Sequence, residues 1–214
     1  MTKIEIFSDV VCPWCYIGKR NLENALQILN EKDEQFESTL NWRSFQLNPQ
    51  LKEEGISRKD YITNKFGEGA NSEVIYERVR LAGEAVGLKM NFDKIIIQPN
   101  SSKMHSLIYA AKETNRDIEL IENFFKAFFI DGMNLTDFEI VSKVASDSGL
   151  DSETINGVFH DNLFEKFVQE DIIMSKKYNI TGVPFYVIDD SIGISGAQPP
   201  EVIVDAIDQS NKNN

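Results

Sequence analysis

The chain has 214 residues, 42% of them hydrophobic and 26% charged. That is an ordinary globular balance, which excludes a mostly disordered chain and leaves no need for a disulfide scaffold. Its 22 basic against 34 acidic side chains give a net charge of −12, and such a field repels phosphate backbones, so neither nucleic acid nor an anionic membrane surface is expected as a partner.

From position 3 the N-terminus alternates apolar and charged residues. This predicts a strand over 3–8, with Ile4 and Ile6 on one face, and not the basic and apolar blocks of a secretory leader. No segment approaches the roughly 18 consecutive apolar residues of a membrane span, and the expected location is the cytoplasm. Asp9-Val10-Val11 leads into Cys12-Pro13-Trp14-Cys15, after which Leu22, Ala25, Leu26 and Leu29 recur at helical spacing. The helix is expected to end near Asn30. A second strand over 39–45 completes a strand, helix, strand unit that favours parallel pairing with a right-handed crossover.

Over about 51–159 the pattern changes to helices joined by polar breaks. The clearest covers 118–130, where Leu120, Ile121, Phe124, Phe125, Phe128 and Phe129 form one broad apolar stripe, read as core. No glycine-rich run ends in Gly-Lys-Ser/Thr, so nucleotide binding has no support. A helix over about 162–178 precedes Thr181-Gly182-Val183-Pro184. Phe185-Tyr186-Val187-Ile188 then reads as a strand buried on both faces, pairing with 192–195 across Asp189-Asp190-Ser191. Pro199-Pro200 opens the last helix, with Val202, Ile203, Ala206 and Ile207 expected inward and the polar tail after Gln209 expected to fray. Strand-rich ends flanking a helical middle predict one open α/β sheet with an insertion.

Cys12 and Cys15 are the chain's two cysteines. In a reducing compartment such a pair is redox-active or metal-binding more often than a structural clip. A cysteine at a helix start sits where unpaired N–H groups and the helix dipole favour negative charge, which makes Cys12 the attacking sulfur. Cys15, one turn on and deeper, is the resolving sulfur. Structural zinc requires four Cys or His ligands, and beyond this pair the chain offers only His105 and His160, without ligand spacing, so no metal is expected.

The segment from Phe7 to Arg20, Phe-Ser-Asp-Val-Val-Cys-Pro-Trp-Cys-Tyr-Ile-Gly-Lys-Arg, resembles the opening of the DsbA-like oxidoreductases of the FrnE type. The likeness continues in Trp42-Arg43-Ser44-Phe45-Gln46-Leu47-Asn48-Pro49, in Pro99-Asn100 followed by His105, in Thr181-Gly182-Val183-Pro184 and in Ser195-Gly196-Ala197-Gln198. The resemblance implies a thioredoxin-like α/β fold with an inserted all-helical domain: residues 1–50 and 160–214 in the first, 51–159 in the second. It also implies a cis bond before Pro184, with the Val183 backbone offered to an extended substrate segment. Pro13 and Trp14 are expected to support the site. Trp14 carries no positive charge, which implies a less oxidising pair than in periplasmic DsbA. Asp9 is read as capping the turn, with a proton relay to Cys15 as its weaker alternative, and His105 as a packed, hydrogen-bonded residue, since Met104 stands where the family pattern has alanine.

The leading expectation is disulfide exchange with protein or small-molecule disulfides and dithiols, by a monomer or homodimer. No cofactor is expected, and glutathione is the co-substrate left open. Two other readings stand beside it. Kappa-class glutathione transferases and hydroxychromene-carboxylate isomerases share the architecture but typically use a serine near the helix start, where this chain has Cys12. A chaperone or binding module would use the helical domain's surface and keep the cysteines as a redox sensor.

Overall fold

Seven residues of alternating character make β1 (Thr2–Ser8), and Cys12 then caps α1 (Pro13–Lys32), which returns the chain to β2 (Ser38–Ser44). The computed structural model describes residues 1–69 and 71–213. β1 and β2 run parallel in register from Thr2 opposite Ser38 to Ser8 opposite Ser44. The chain next enters a second unit, passing through β3 (Ile56–Ser57), α2 (Arg58–Phe66), α3 (Ser72–Glu84), β4 (Ile97–Gln98), α4 (Ser102–Lys112) and α5 (Asp117–Phe125). There follow α6 (Phe138–Asp147), α7 (Ser152–His160) and α8 (Glu165–Lys177), and the chain rejoins the first unit as β5 (Phe185–Ile188), β6 (Ile192–Ser195) and α9 (Pro200–Asn213).

Met1–Phe45 and the chain from Asp171 onward form one compact unit; Gln46–Glu170 forms the other. The breaks therefore fall near 45 and 170 instead of the expected 50 and 159. Local bonding explains both. Gln46 donates to the Asn100 side chain at 3.2 Å, which ties the chain after β2 to the second unit. At the far end the second half of α8 belongs with the sheet: Asp171 accepts the Ser44 N–H at 2.7 Å, and Met174 packs against Phe7 and Val187.

In the first unit the sheet order is β2-β1-β5-β6, with β5 antiparallel to β1 and to β6. β1 is thus central and buried on both faces, where the alternation predicted one covered face. Ile4 and Ile6 pair beside Ile188 and Tyr186, and Phe7 packs on the other side with Ile180 and Val187. The β5–β6 turn places Asp189 and Asp190 at φ +46° and +55°, a left-handed pair that matches strand twist in a tight hairpin. In α9 the inward residues include Ile203, Val204 and Ile207, while Val202 is exposed. Ser210 is buried and donates to Asp189 at 2.7 Å, so the helix runs on past the expected fraying point.

The second unit is helical apart from β3 and β4, whose two-residue antiparallel pairing, Ile56 with Gln98 and Ser57 with Ile97, corrects the all-helical expectation. Strands this short carry no periodicity. Gly55 enters this pair at φ +69°, and a Cβ there would lie 2.5 Å from the Gln98 carbonyl oxygen. The phenylalanine stripe is core: Phe124, Phe125, Phe128 and Phe129 are wholly buried. Its last turn is a π-turn over Lys126–Ile130, with the Asp131 N–H donating to the Lys126 carbonyl.

Central placement buries Glu5, at 2% exposure, and the fold compensates with cations. Arg43 on β2 bonds Glu5 and also Asp171 at 3.2 Å, and Lys3 approaches Glu5 at 3.0 Å. Burial pushes the Glu5 carboxyl up, but the hydrogen bonds and charges of Arg43 and Lys3 outweigh it and hold the group below the usual carboxylate range. Arg43→Met leaves two buried carboxylates short of a partner and is expected to lower unfolding free energy by about 3 kcal/mol in urea titrations. Because the folded carboxyl ionises at lower pH than the unfolded one, Glu5 contributes stability above its ordinary range, lost as pH falls through the folded value. Glu5→Gln should accordingly flatten the fall in stability measured between about pH 5 and about pH 3.

Candidate functional site

Asp9 organises the entry to α1. Its carboxylate accepts the Val11 N–H at 3.3 Å and its carbonyl accepts the Cys12 N–H at 2.9 Å. Cys12 is the N-cap in extended conformation, with φ −100° and ψ 113°, and its side chain makes no capping bond. Pro13 opens the helix, where its missing N–H costs nothing. The Cys15 N–H returns to the Cys12 carbonyl at 3.0 Å.

Both cysteines are free thiols, and they lie 3.6 Å apart. Cys15 is 1% exposed, and Cys12, expected to be the more open, is only 4% exposed. The cover is the turn before β5. The Cys12 thiol donates to the Val183 carbonyl at 3.5 Å, and the Val183–Pro184 peptide is cis. Burial, then the hydrogen bond and charge of Cys12, push the Cys15 thiol well up, against smaller opposing effects of the Asp9 backbone and Ser8. Cys15 therefore holds its proton at neutral pH.

The turn is held from three directions. The Pro184 carbonyl accepts the Gly196 N–H at 2.8 Å, and the next residues of that loop are fixed by Asn21 of α1, which donates to the Gln198 carbonyl at 3.0 Å. Third, α1 lies against it at Gly18, where a Cβ would stand 2.8 Å from the Pro184 ring and would strike the Tyr186 hydroxyl. Gly18 and Asn21 carry no chemistry and escape motif reading. A glycine inside a helix of good formers is nevertheless a signal of close approach.

Pro13 and Trp14 are half-buried at the start of α1. His105 lies in the other unit, buried on α4. Gln46, Pro49 and Asn100, from the segments matched above, line a cavity of about 460 Å³ in that unit. Its Lys103 ammonium is engaged by the Val158 and Phe159 carbonyls and the Asn162 side chain, where it neutralises the end of α7. Among the described residues no group of three or more His, Cys, Asp or Glu side chains is placed to hold a metal ion, and no helix is long and apolar enough to cross a membrane.

Comparison with known proteins gives four points of reference. The model of the DSBA-like thioredoxin domain matches residues 3–208. The uncharacterized protein YwbO of Bacillus subtilis is 27% identical over 214 residues, covering 98% of this chain and 97% of that one. The crystal structure of a probable DsbA oxidoreductase from Streptomyces coelicolor is 30% identical with a TM-score of 0.91, covering 100% of this chain and 92% of its own. The cytosolic disulfide reductase DsbM of Pseudomonas aeruginosa, at 11% identity, shares the fold with a TM-score of 0.62, covering 99% and 100% of the two chains.

Gly18→Ala tests the close approach by sign. In an open helix face the change stabilises by about 1 kcal/mol. Here overpacking against Pro184 and Tyr186 is expected to reverse that, lowering unfolding free energy by about 1–3 kcal/mol in chemical denaturation.

Proposed function

The chain belongs to the DSBA-like thioredoxin domain family, and from that premise we propose that it is a thiol-disulfide oxidoreductase working through Cys12-Pro13-Trp14-Cys15. The observation that carries this reading is the pairing of two free thiols 3.6 Å apart at the N-terminus of α1, the outer one facing the Val183 carbonyl.

Cys12 as thiolate attacks one sulfur of a substrate disulfide. A Cys12–substrate bond forms, the substrate S–S bond breaks, and the departing thiolate takes a proton from solvent. Cys15 then gives up its proton and attacks the Cys12 sulfur, which closes the Cys12–Cys15 disulfide and releases the second substrate thiolate, and that thiolate takes up a proton in exchange through solvent. The substrate gains two electrons and the protein loses two; run backward, the same steps oxidise a dithiol. The high proton affinity of Cys15 supports the division of labour, because a resolving sulfur that stays protonated does not compete for the first attack.

Val183 supports substrate docking: its backbone precedes β5 and can pair with an extended segment. Substrates are protein or small-molecule disulfides. The reaction requires no bound cofactor, glutathione serves as a second thiol substrate, and the working compartment is the cytoplasm.

In an insulin-disulfide reduction assay, Cys12→Ser is expected to abolish turnover. Cys15→Ser should instead accumulate mixed disulfides, visible as added mass that reductant removes. Undiminished turnover in Cys12→Ser would exclude the proposal.

A further inference from the structure

The cavity of about 460 Å³ described above lies wholly within the second unit, against the first turn of α4. On that side it is lined by donors that the chain leaves unused. Ser101 is the N-cap of α4 but makes no side-chain capping bond. Asn100 takes the Ser102 N–H at 2.9 Å and is then spent, because its oxygen also accepts from Gln46 and its amide donates to the Leu51 carbonyl at 2.5 Å. Among the described residues the Lys103 and Met104 N–H groups meet no acceptor, although Met104 is 1% exposed. Ser106, one turn on, is 2% exposed, lines the same cavity and likewise has no hydrogen-bond partner among those residues. Buried donors without acceptors are costly and rare. Three of them at one helix start, where the dipole adds positive potential, call for an anionic group.

The rest of the lining narrows the kind of anion. Glu53 and Glu165 present carboxylates that make no ion pair among the described residues, while the Lys103 ammonium is already committed to the Val158 and Phe159 carbonyls and to Asn162. A bare inorganic anion would meet two repelling charges there. Phe138 and Phe159, edge to face at 4.9 Å, add an apolar wall that such an ion would leave unused. A ligand with a carboxylate, an ammonium group and an apolar side chain answers all three features, and the volume falls within the range of small-ligand clefts, about 300–1,000 Å³. We propose that the cavity binds a short apolar peptide with free termini, its carboxylate on the Lys103 and Met104 N–H groups and the Ser106 hydroxyl, its ammonium toward Glu53 and Glu165. This binding function is separate from the thiol chemistry proposed above and does not rest on it.

Leucyl-leucine, its C-terminal amide and its N-acetyl form separate these contacts, each titrated into the whole reduced chain and followed by two-dimensional amide NMR. The free dipeptide is expected to shift the Lys103 and Met104 amide signals. Amidation removes the carboxylate, and Ser106→Ala removes one of its donors while keeping a good helix former. Each change is expected to weaken binding about tenfold. Acetylating the amine should cost less, about twofold to fivefold, and Glu165→Gln should then add nothing for the acetylated peptide. No binding of the free dipeptide at millimolar concentration, equal binding of its amide, or unchanged affinity in a folded Ser106→Ala protein overturns the proposal. Acetate or phosphate bound as tightly as the dipeptide would leave an anion site only and overturn it as well.

Discussion

The site depends on the contact between α1 at Gly18 and the strand that begins at Pro184. The helix carries both sulfurs and the strand carries the Val183 carbonyl, so their separation sets what Cys12 can touch. A single side-chain carbon at Gly18 would part them. The sheet supplies the other half of this constraint: β5 is registered on β1 with Phe7 opposite Phe185 and Ile6 opposite Tyr186, which fixes the height at which Pro184 and Tyr186 meet the helix. The hairpin to β6 then returns the Gly196 N–H to the Pro184 carbonyl, bracing the turn from behind.

Placing β1 at the centre of that sheet also creates an electrostatic demand. Glu5 faces into the protein, and the chain answers it from both neighbouring directions, with Lys3 on its own strand and Arg43 on β2. Arg43 reaches on to Asp171, which in turn takes the Ser44 N–H. One guanidinium thus joins β1, β2 and the returning half of α8. This arrangement explains why the first unit reclaims the chain in the middle of that helix, a boundary that no change in composition marks.

Periodicity and breaker residues made the order of elements legible, because burial of one helix face or alternate strand residues leaves a repeating pattern. The cysteine pair was legible from its spacing, and the cis bond before Pro184 was legible through the family resemblance. What escaped depends on neighbours that lie far away in the chain. The alternation of β1 looked one-sided, yet Glu5 is buried because a central strand has no outer face. Val202 and Val204 are alike in composition, and the packing of α9 against α1 decides which one turns inward. The Tyr186 hydroxyl was hidden in an apolar run, since sequence cannot show that its ring ends against Gly18 of α1.

In the proposed reaction the contact between Cys12 and Val183 couples charge to docking. A thiol donates to a carbonyl oxygen, as Cys12 does here at 3.5 Å. A thiolate has no proton to donate and is repelled by the same oxygen. Ionisation of Cys12 therefore removes that attraction, and in the proposed reaction it leaves the Val183 carbonyl to accept an N–H from an extended substrate segment. In the proposed reaction, the event that makes the sulfur nucleophilic is then also the one that opens the backbone position where a disulfide-bearing segment docks.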